Sequence, residues 1–281
     1  MMNGLPGNMG KEVAAACLRK GFKMAPYSLT GPQIQDTEVT VDDMSGGESF
    51  TVGLLKDGAE GTDEKILEMK ARFGSDLICI DYTHPTAVNS NAELYARLGL
   101  PFVMGTTGGD RSKLMEDTVK SGVYAVIAPN MGKQIVALQT AIDYMAREFP
   151  GAFGGYSLDI TESHQSSKAD TSGTAKALAN DFAVLTGAPF DVESEITMIR
   201  DAPGQKAFGV PEEYLGGHAF HMYSLRSGDG TVEFQFRHNV CGRRMYAEGT
   251  ADAVEFLARQ MASNAQKRVY NMIDVLKMGG I

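Results

Sequence analysis

Between residues 77 and 130, short apolar runs alternate with helix-patterned stretches, and each run stops in a loop of small or hydroxyl-bearing residues. Leu77-Ile78-Cys79-Ile80-Asp81-Tyr82, Pro101-Phe102-Val103-Met104 and Tyr124-Ala125-Val126-Ile127-Ala128 read as strands, with helices over 89–98 and 114–120 between them. That order leaves few folds open, because strands joined by helical crossovers build a mostly parallel sheet. Ligands of such sheets settle beyond the carboxyl ends of the strands. Asp81-Tyr82-Thr83, Gly105-Thr106-Thr107-Gly108 and Pro129-Asn130-Met131 all fall there. Taken singly, each tip also reads as a plain strand-to-helix turn.

Ahead of this alternation stands Asn3-Gly4-Leu5-Pro6-Gly7-Asn8-Met9-Gly10, followed by a helical stretch over 11–20 with Val13, Ala14, Cys17 and Leu18 on its apolar side. Glycines so placed let backbone amides and a helix N-terminus approach a pyrophosphate without Cβ obstruction. The spacing differs from G-x-G-x-x-G, so the run is either a dinucleotide cradle or an ordinary turn capping a helix. As a cradle it enlists Gly4, Gly7, Asn8, Met9 and Gly10. The strand tips then add Asp81, Thr83, Gly105, Thr106, Thr107, Pro129, Asn130 and Met131, with Asn130 bonding the nicotinamide amide. A second strand is expected over 22–28, and further strands near Thr40 and Phe50, with a helix over 63–73. An NAD-selective site holds an acid about 20 residues past the glycines. None occurs between Glu12 and Asp36, where Ser28 and Thr30 stand instead, which leans toward NADPH with NADH possible. The strand leading into the glycine loop needs several residues before Met1, so the chain reads as shortened at its start.

The second half changes period. A helix over 133–149 is followed by strands over 156–162, 192–199, 218–225 and 231–238 and a helix over 174–185, an α+β pattern on an open mixed sheet. Between strand and helix lies Glu162-Ser163-His164-Gln165-Ser166-Ser167-Lys168-Ala169-Asp170-Thr171-Ser172-Gly173-Thr174. Lys168 is a proton donor or imine-polarising charge, or else a solvated surface lysine; His164 is catalytic or anion-binding. Ser172, Gly173 and Thr174 offer hydroxyls and free amides at a helix N-terminus, a carboxylate cradle. His84, His218 and His221 read as turn or packing residues. His238 precedes Arg243 and Arg244, one of which either forks onto a substrate carboxylate or pairs with the acidic surface. From Met245 to about Met261 the pattern of Tyr246, Ala253, Val254, Phe256, Leu257 and Met261 predicts a long helix after Gly249, and the apolar tail over 269–278 packs back on the first half. The boundaries are thus 1–130 for a dinucleotide-binding domain, 131–242 for a substrate-binding domain, and 243–281 for a returning segment.

Composition narrows the partners. Lys and Arg number 26 against 35 Asp and Glu, a net charge of −9 without a basic cluster, which argues against nucleic acid. Cys17, Cys79 and Cys241 lie at no metal-ligand spacing, so no metal is expected. No apolar run is long enough for a membrane helix.

Taken together, Gly4-Leu5-Pro6-Gly7-Asn8-Met9-Gly10, Phe102-Val103-Met104-Gly105-Thr106-Thr107-Gly108, Ala128-Pro129-Asn130-Met131, residues 162–175 and residues 243–249 resemble the 4-hydroxy-tetrahydrodipicolinate reductases, in their plant-like branch. The resemblance covers nearly the whole chain. It implies a Rossmann-like NAD(P)H-binding domain, an α+β domain over 131–242 that binds substrate and contributes to oligomerisation, and a homodimer or homotetramer. The implied reaction reduces a small cyclic dicarboxylate, (2S,4S)-4-hydroxy-2,3,4,5-tetrahydrodipicolinate. His164 and Lys168 match the family's catalytic pair, Ser172 to Thr174 its carboxylate loop and Arg243 its substrate-side arginine. Gln165 stands where bacterial members have a second histidine, and the loop is one residue shorter, which makes Lys168 the preferred donor. The location implied is cytoplasmic, or plastid if a targeting segment is missing. The alternatives are a related two-domain dehydrogenase of an amino acid or semialdehyde, and a non-catalytic NAD(P)-binding regulator.

Overall fold

The computed structural model describes residues 1–47, 49–56 and 58–279. The chain divides into two compact units, Met1–Lys133 with Arg244–Ile281, and Gln134–Arg243.

The first unit opens with β1 (Met2–Asn3) and α1 (Asn8–Arg19), then β2 (Tyr27–Thr30), β3 (Glu38–Val41), β4 (Phe50–Lys56) and α2 (Thr62–Phe73). The alternation expected from the sequence follows: β5 (Cys79–Asp81), α3 (Val88–Arg97), β6 (Phe102–Met104), α4 (Arg111–Ser121) and β7 (Ala125–Ile127). Strands β1, β5, β6 and β7 lie side by side in that order, all parallel. The leading strand is therefore present in two residues, with the Met1 amine donating to the Ile78 carbonyl at 2.8 Å. Strand β2 starts later than expected because Pro26 has no N–H for a ladder; its carbonyl accepts from Gly53 N at 2.8 Å. Strands β2, β4 and β3 form a separate small sheet, β2 parallel and β3 antiparallel to β4.

The second unit takes most of α5 (Lys133–Glu148), then β8 (Tyr156–His164), α6 (Gly173–Thr186), β9 (Ile196–Ile199), α7 (Ala202–Ala207), β10 (His218–Ser227) and β11 (Glu233–Cys241). The sheet order is β11-β10-β8-β9, with β10 antiparallel to both neighbours and β9 parallel to β8, the open mixed sheet that the period change indicates. Strand β9 is shorter than the expected 192–199, since Asp191 draws the Glu193 amide to Oδ1 and the Ser194 hydroxyl to Oδ2 in a turn. Helix α6 lays Leu178, Phe182 and Leu185 against Ile160, Tyr223 and Leu225.

The chain returns to the first unit through α8 (Arg244–Ala262), β12 (Val269–Tyr270) and α9 (Met272–Met278). Strand β12 pairs in parallel with β7 and forms the outer edge of the five-stranded sheet. The long helix covers the whole 245–261 pattern and so includes Gly249 instead of following it. Gly249 sits inside α8 because a Cβ there would drive into the Met131 carbonyl oxygen, so the missing side chain lets the helix lie directly on the 131 backbone. Buried Asp252 pairs with Lys20 and Lys133, tying α8 to the end of α1 and the start of α5. Among the described residues no helix is long and apolar enough to cross a membrane.

Candidate active site

Two constellations, one in each unit, bring together the residues singled out by sequence. In the first, the loop after β1 is packed so tightly that only glycine fits. Gly4 has φ 101°, and a Cβ on it would enter the Tyr82 carbonyl. Gly7 would place a Cβ 2.7 Å from the Gly4 oxygen, and Gly10 3.1 Å from the same atom. Gly4 N donates to Leu29 O at 2.9 Å and the Thr30 hydroxyl to Leu5 O at 2.7 Å, so β2 clamps the loop. Helix α1 begins at Asn8 without a side-chain cap, which leaves first-turn amides for an anion. A crevice of about 650 Å³ opens here, lined by Gly4 to Gly7, by Thr30 to Ile34 and by Tyr82 to His84 with Thr86. Glycines at which a Cβ would collide, an uncapped helix and a crevice at the strand ends fit a dinucleotide pyrophosphate.

Several expectations change in detail. Asp81 is fully buried, and its carboxylate accepts from Thr83 N and Oγ1, Thr106 Oγ1, Asn91 Nδ2 and Tyr95 OH. With these donors converging on it, the carboxylate fixes the two tips that carry Thr83 and Thr106. Ser28 is buried and its hydroxyl bonds Leu29 O, so neither it nor Thr30 is free for a ribose. Gln33, beyond β2, lines the crevice instead. Gly105 packs against the Tyr82 ring, Thr107 and Pro129 are exposed, Asn130 Oδ1 accepts from Gly132 N at 2.8 Å, and Met131 is buried. His84 caps its own turn, accepting from Thr86 N at Nδ1.

In the second unit the core face of the sheet turns polar at one end. Side chains two apart on a strand share a face, so Leu158, Ile160, Glu162 and His164 form one row on β8. His221 stands directly opposite Glu162 on β10, and His238 opposite His221 on β11. His164 Nε2 lies 3.3 Å from His221 Nε2, and Glu162 Oε2 lies 3.9 Å from the first and 3.7 Å from the second. His221 stacks on His238 with ring centres 4.5 Å apart. Burial, then the nearby Arg200 and Lys168 cations, push the His164 pKa down to about 4. His238 is lowered by burial to about 4, and His221 well below its ordinary value by burial and then by its histidine neighbours. These imidazoles are neutral near pH 7.

Arg200, which follows β9, organises the loop between β8 and α6. Its guanidinium pairs with Glu162 Oε1 and donates to the carbonyls of Lys168 at 2.8 Å and Asp170 at 3.3 Å. Glu162 Oε2 takes the Ser172 amide at 3.0 Å. Lys168 is thus held by its backbone, with its ammonium 2.7 Å from Asp170 Oδ1. Ser172 precedes α6 as its N-cap without a side-chain bond, followed by Gly173 and Thr174. Arg243 ends this unit with its guanidinium against Gly217, and among the described residues it makes no hydrogen bond into the Arg200 network. His218 has the local role expected, bonding Ser163 Oγ at 2.8 Å and Tyr214 O at 2.9 Å. His221 does not; it belongs to the site. Sequence reading also passed over Arg200 and the part played by Glu162, although the two-residue spacing of Glu162 and His164 on a strand is a usable signal.

Family models account for both units. The one described as dihydrodipicolinate reductase, N-terminus, matches residues 1–131, and the one described as dihydrodipicolinate reductase, C-terminus, matches residues 134–276. The chain belongs to this family. Among curated dihydrodipicolinate reductases, the Arabidopsis thaliana protein named 4-hydroxy-tetrahydrodipicolinate reductase 1, chloroplastic, is 50% identical over 284 residues, covering 100% of this chain and 78% of that protein. The Oryza sativa subsp. japonica protein named probable 4-hydroxy-tetrahydrodipicolinate reductase 1, chloroplastic, is 49% identical over 282 residues, covering 100% and 79%. Among solved structures, the dipicolinate-bound dihydrodipicolinate reductase from Paenisporosarcina sp. TG-14 shares the fold, with TM-score 0.60 and 20% identity, covering 96% of this chain and 95% of that one.

Proposed function

We propose that this chain catalyses the NAD(P)H-dependent reduction of (2S,4S)-4-hydroxy-2,3,4,5-tetrahydrodipicolinate to tetrahydrodipicolinate, with loss of water, in the diaminopimelate route to lysine. The observation that carries the reading is the family match across both units, joined to about half-identity with reductases named for this substrate. The nicotinamide cofactor supplies the hydride when bound. Gly4, Gly7, Asn8, Met9 and Gly10 hold its pyrophosphate, with Thr83, Gly105, Thr106, Thr107 and residues 129–131 at the neighbouring strand ends.

The second unit supplies groups for a dicarboxylate. The Ser172 hydroxyl, with the amides of Gly173 and Thr174 at the start of α6, holds one carboxylate, and Arg243 offers a fork for another. Lys168 Nζ donates the proton that follows hydride arrival. A neutral imidazole is a poor acid, and burial keeps His164 neutral, so proton donation falls to Lys168. The Arg200 and Glu162 pair keeps the Lys168 backbone in place before substrate binds, so orientation is built into the fold.

The plastid reading of location is supported by relatives named chloroplastic in two plants. A homo-oligomer through the second unit is supported by the nine-residue edge strand β11 with Phe234 exposed, and light scattering tests it. The reaction itself is tested by following the nicotinamide absorbance with purified protein, NADPH or NADH, and substrate made in place from pyruvate and aspartate semialdehyde by the preceding synthase. Oxidation that requires both the synthase product and this protein is expected, faster with NADPH. Intact NADPH binding without oxidation would overturn the substrate assignment.

A further inference from the structure

We infer that Glu162, His164 and His221 form a binding site for one divalent ion of the zinc class, ligated by Glu162 Oε2 and the two imidazole Nε2 atoms, with a further coordination position open. Sheet register brings the donors together: Glu162 and His164 share a face of β8, and His221 is the cross-strand partner of Glu162. All three side chains are buried.

The spacing is that of ligands around a common point. Separations of 3.3, 3.9 and 3.7 Å leave a position about 2.1 Å from every one of the three atoms, within the Zn–N and Zn–O range of roughly 2.0–2.2 Å. The two Nε2 atoms now share a hydrogen bond at 3.3 Å, with the ring centres 5.0 Å apart and the planes at 75°, and an ion would take the place of the proton between them. Two imidazole nitrogens and a carboxylate oxygen are a borderline donor set that suits zinc and cobalt. Arg200 on Glu162 Oε1 and the Ser172 amide on Oε2 orient the carboxylate from outside the ligand shell. The Arg200 charge also weakens cation binding, so the site calls for titration in place of co-purification.

The inference goes beyond the reductase reading, and its assay uses no substrate or cofactor, so either can fail without the other. The full chain carrying Cys241→Ser, which removes the exposed thiol, is titrated with Co2+ while the visible d–d absorption is followed. One equivalent per chain with the intensity of a four-coordinate ion is expected, and Zn2+ displaces it. His221→Ala and His164→Ala should each weaken Co2+ binding by more than about tenfold, with far-UV circular dichroism unchanged. Should a variant fail to fold, NMR of the histidine ring protons in the parent protein decides. Zn2+ is then expected to shift the resonances of two of the five histidines. No d–d band in the parent, a band of equal strength in both variants, or ring resonances unmoved by Zn2+ overturns the assignment.

Discussion

The first unit makes its ligand crevice out of backbone, the second makes its site out of side chains. Around Gly4 the chemistry consists of amides, carbonyls and the space that a Cβ would fill, and the residues that matter are close neighbours in sequence. Around Glu162 it consists of charged and titratable side chains contributed by β8, by β10 and by the segment after β9. A backbone-made site tolerates change at its side chains and fails when a glycine gains one. A side-chain-made site fails when any partner leaves a buried charge alone.

Four measurements press on this contrast, the largest effect first. Arg200→Met strips buried Glu162 of its partner, and loss of one member of such a pair costs about 3–5 kcal/mol. Chemical denaturation of the second unit should register that loss, and a change below about 1 kcal/mol would mean that the pair is dispensable. Lys168→Ala should lower kcat by about 100-fold or more through loss of the proton donor, with NADPH affinity unmoved. A fall in NADPH affinity with kcat intact would place Lys168 on the cofactor side.

Gly4→Ala sets a Cβ against the Tyr82 carbonyl at a φ of 101°, a strain of about 1–3 kcal/mol. NADPH should bind roughly tenfold more weakly, while hydrogen exchange within residues 134–243 stays as it was. Unchanged cofactor affinity would show that the loop has room to shift.

The smallest effect is one of pH. His164 and His238 titrate near 4 when folded, and His218 and His221 are also lowered. In the unfolded chain an imidazole titrates near 6.5. Stability from these groups is complete above about 6.5 and is lost as pH falls toward 4. Each contributes less than about 1 kcal/mol of that loss between pH 7 and 6. Asp181, raised to about 6 by burial and then by Asp143, works in the opposite direction and offsets part of it. The only histidine of the first unit, His84, is exposed. Amide exchange should therefore accelerate in residues 134–243 before it does elsewhere, and an equal response in both units would break the contrast.

Legibility follows the same division. The βα alternation and the glycine loop were open to reading because periodicity and Cβ-free positions are local properties. The period change at Tyr156 was legible for the same reason, and so was the stretch that ends in Thr174. His221 was not, since its place opposite Glu162 depends on the register of two antiparallel strands, which hydrophobic pattern alone does not specify at the polar end of a sheet. Arg200 reaches the Lys168 loop only because β9 pairs in parallel with β8. The place of Asp81 at a strand tip says nothing about how many donors converge on it. Gly249 stands ahead of the helix expected from sequence, whereas it lies inside α8, where the missing Cβ admits the backbone of Met131, a contact no local pattern reports.

Strand β12 has a consequence for how the molecule is made. It and α8 come from the segment after Arg243, yet they complete the sheet and the helix layer begun by the first strands. Residues 134–243, by contrast, form one unbroken stretch with its own core. On a ribosome the inner unit has everything it needs while the outer one still waits for its edge, so the glycine crevice becomes competent for cofactor last. A nascent chain arrested with a linker that carries Cys241 clear of the exit tunnel should protect the histidine cluster from protease and leave the glycine loop open to it.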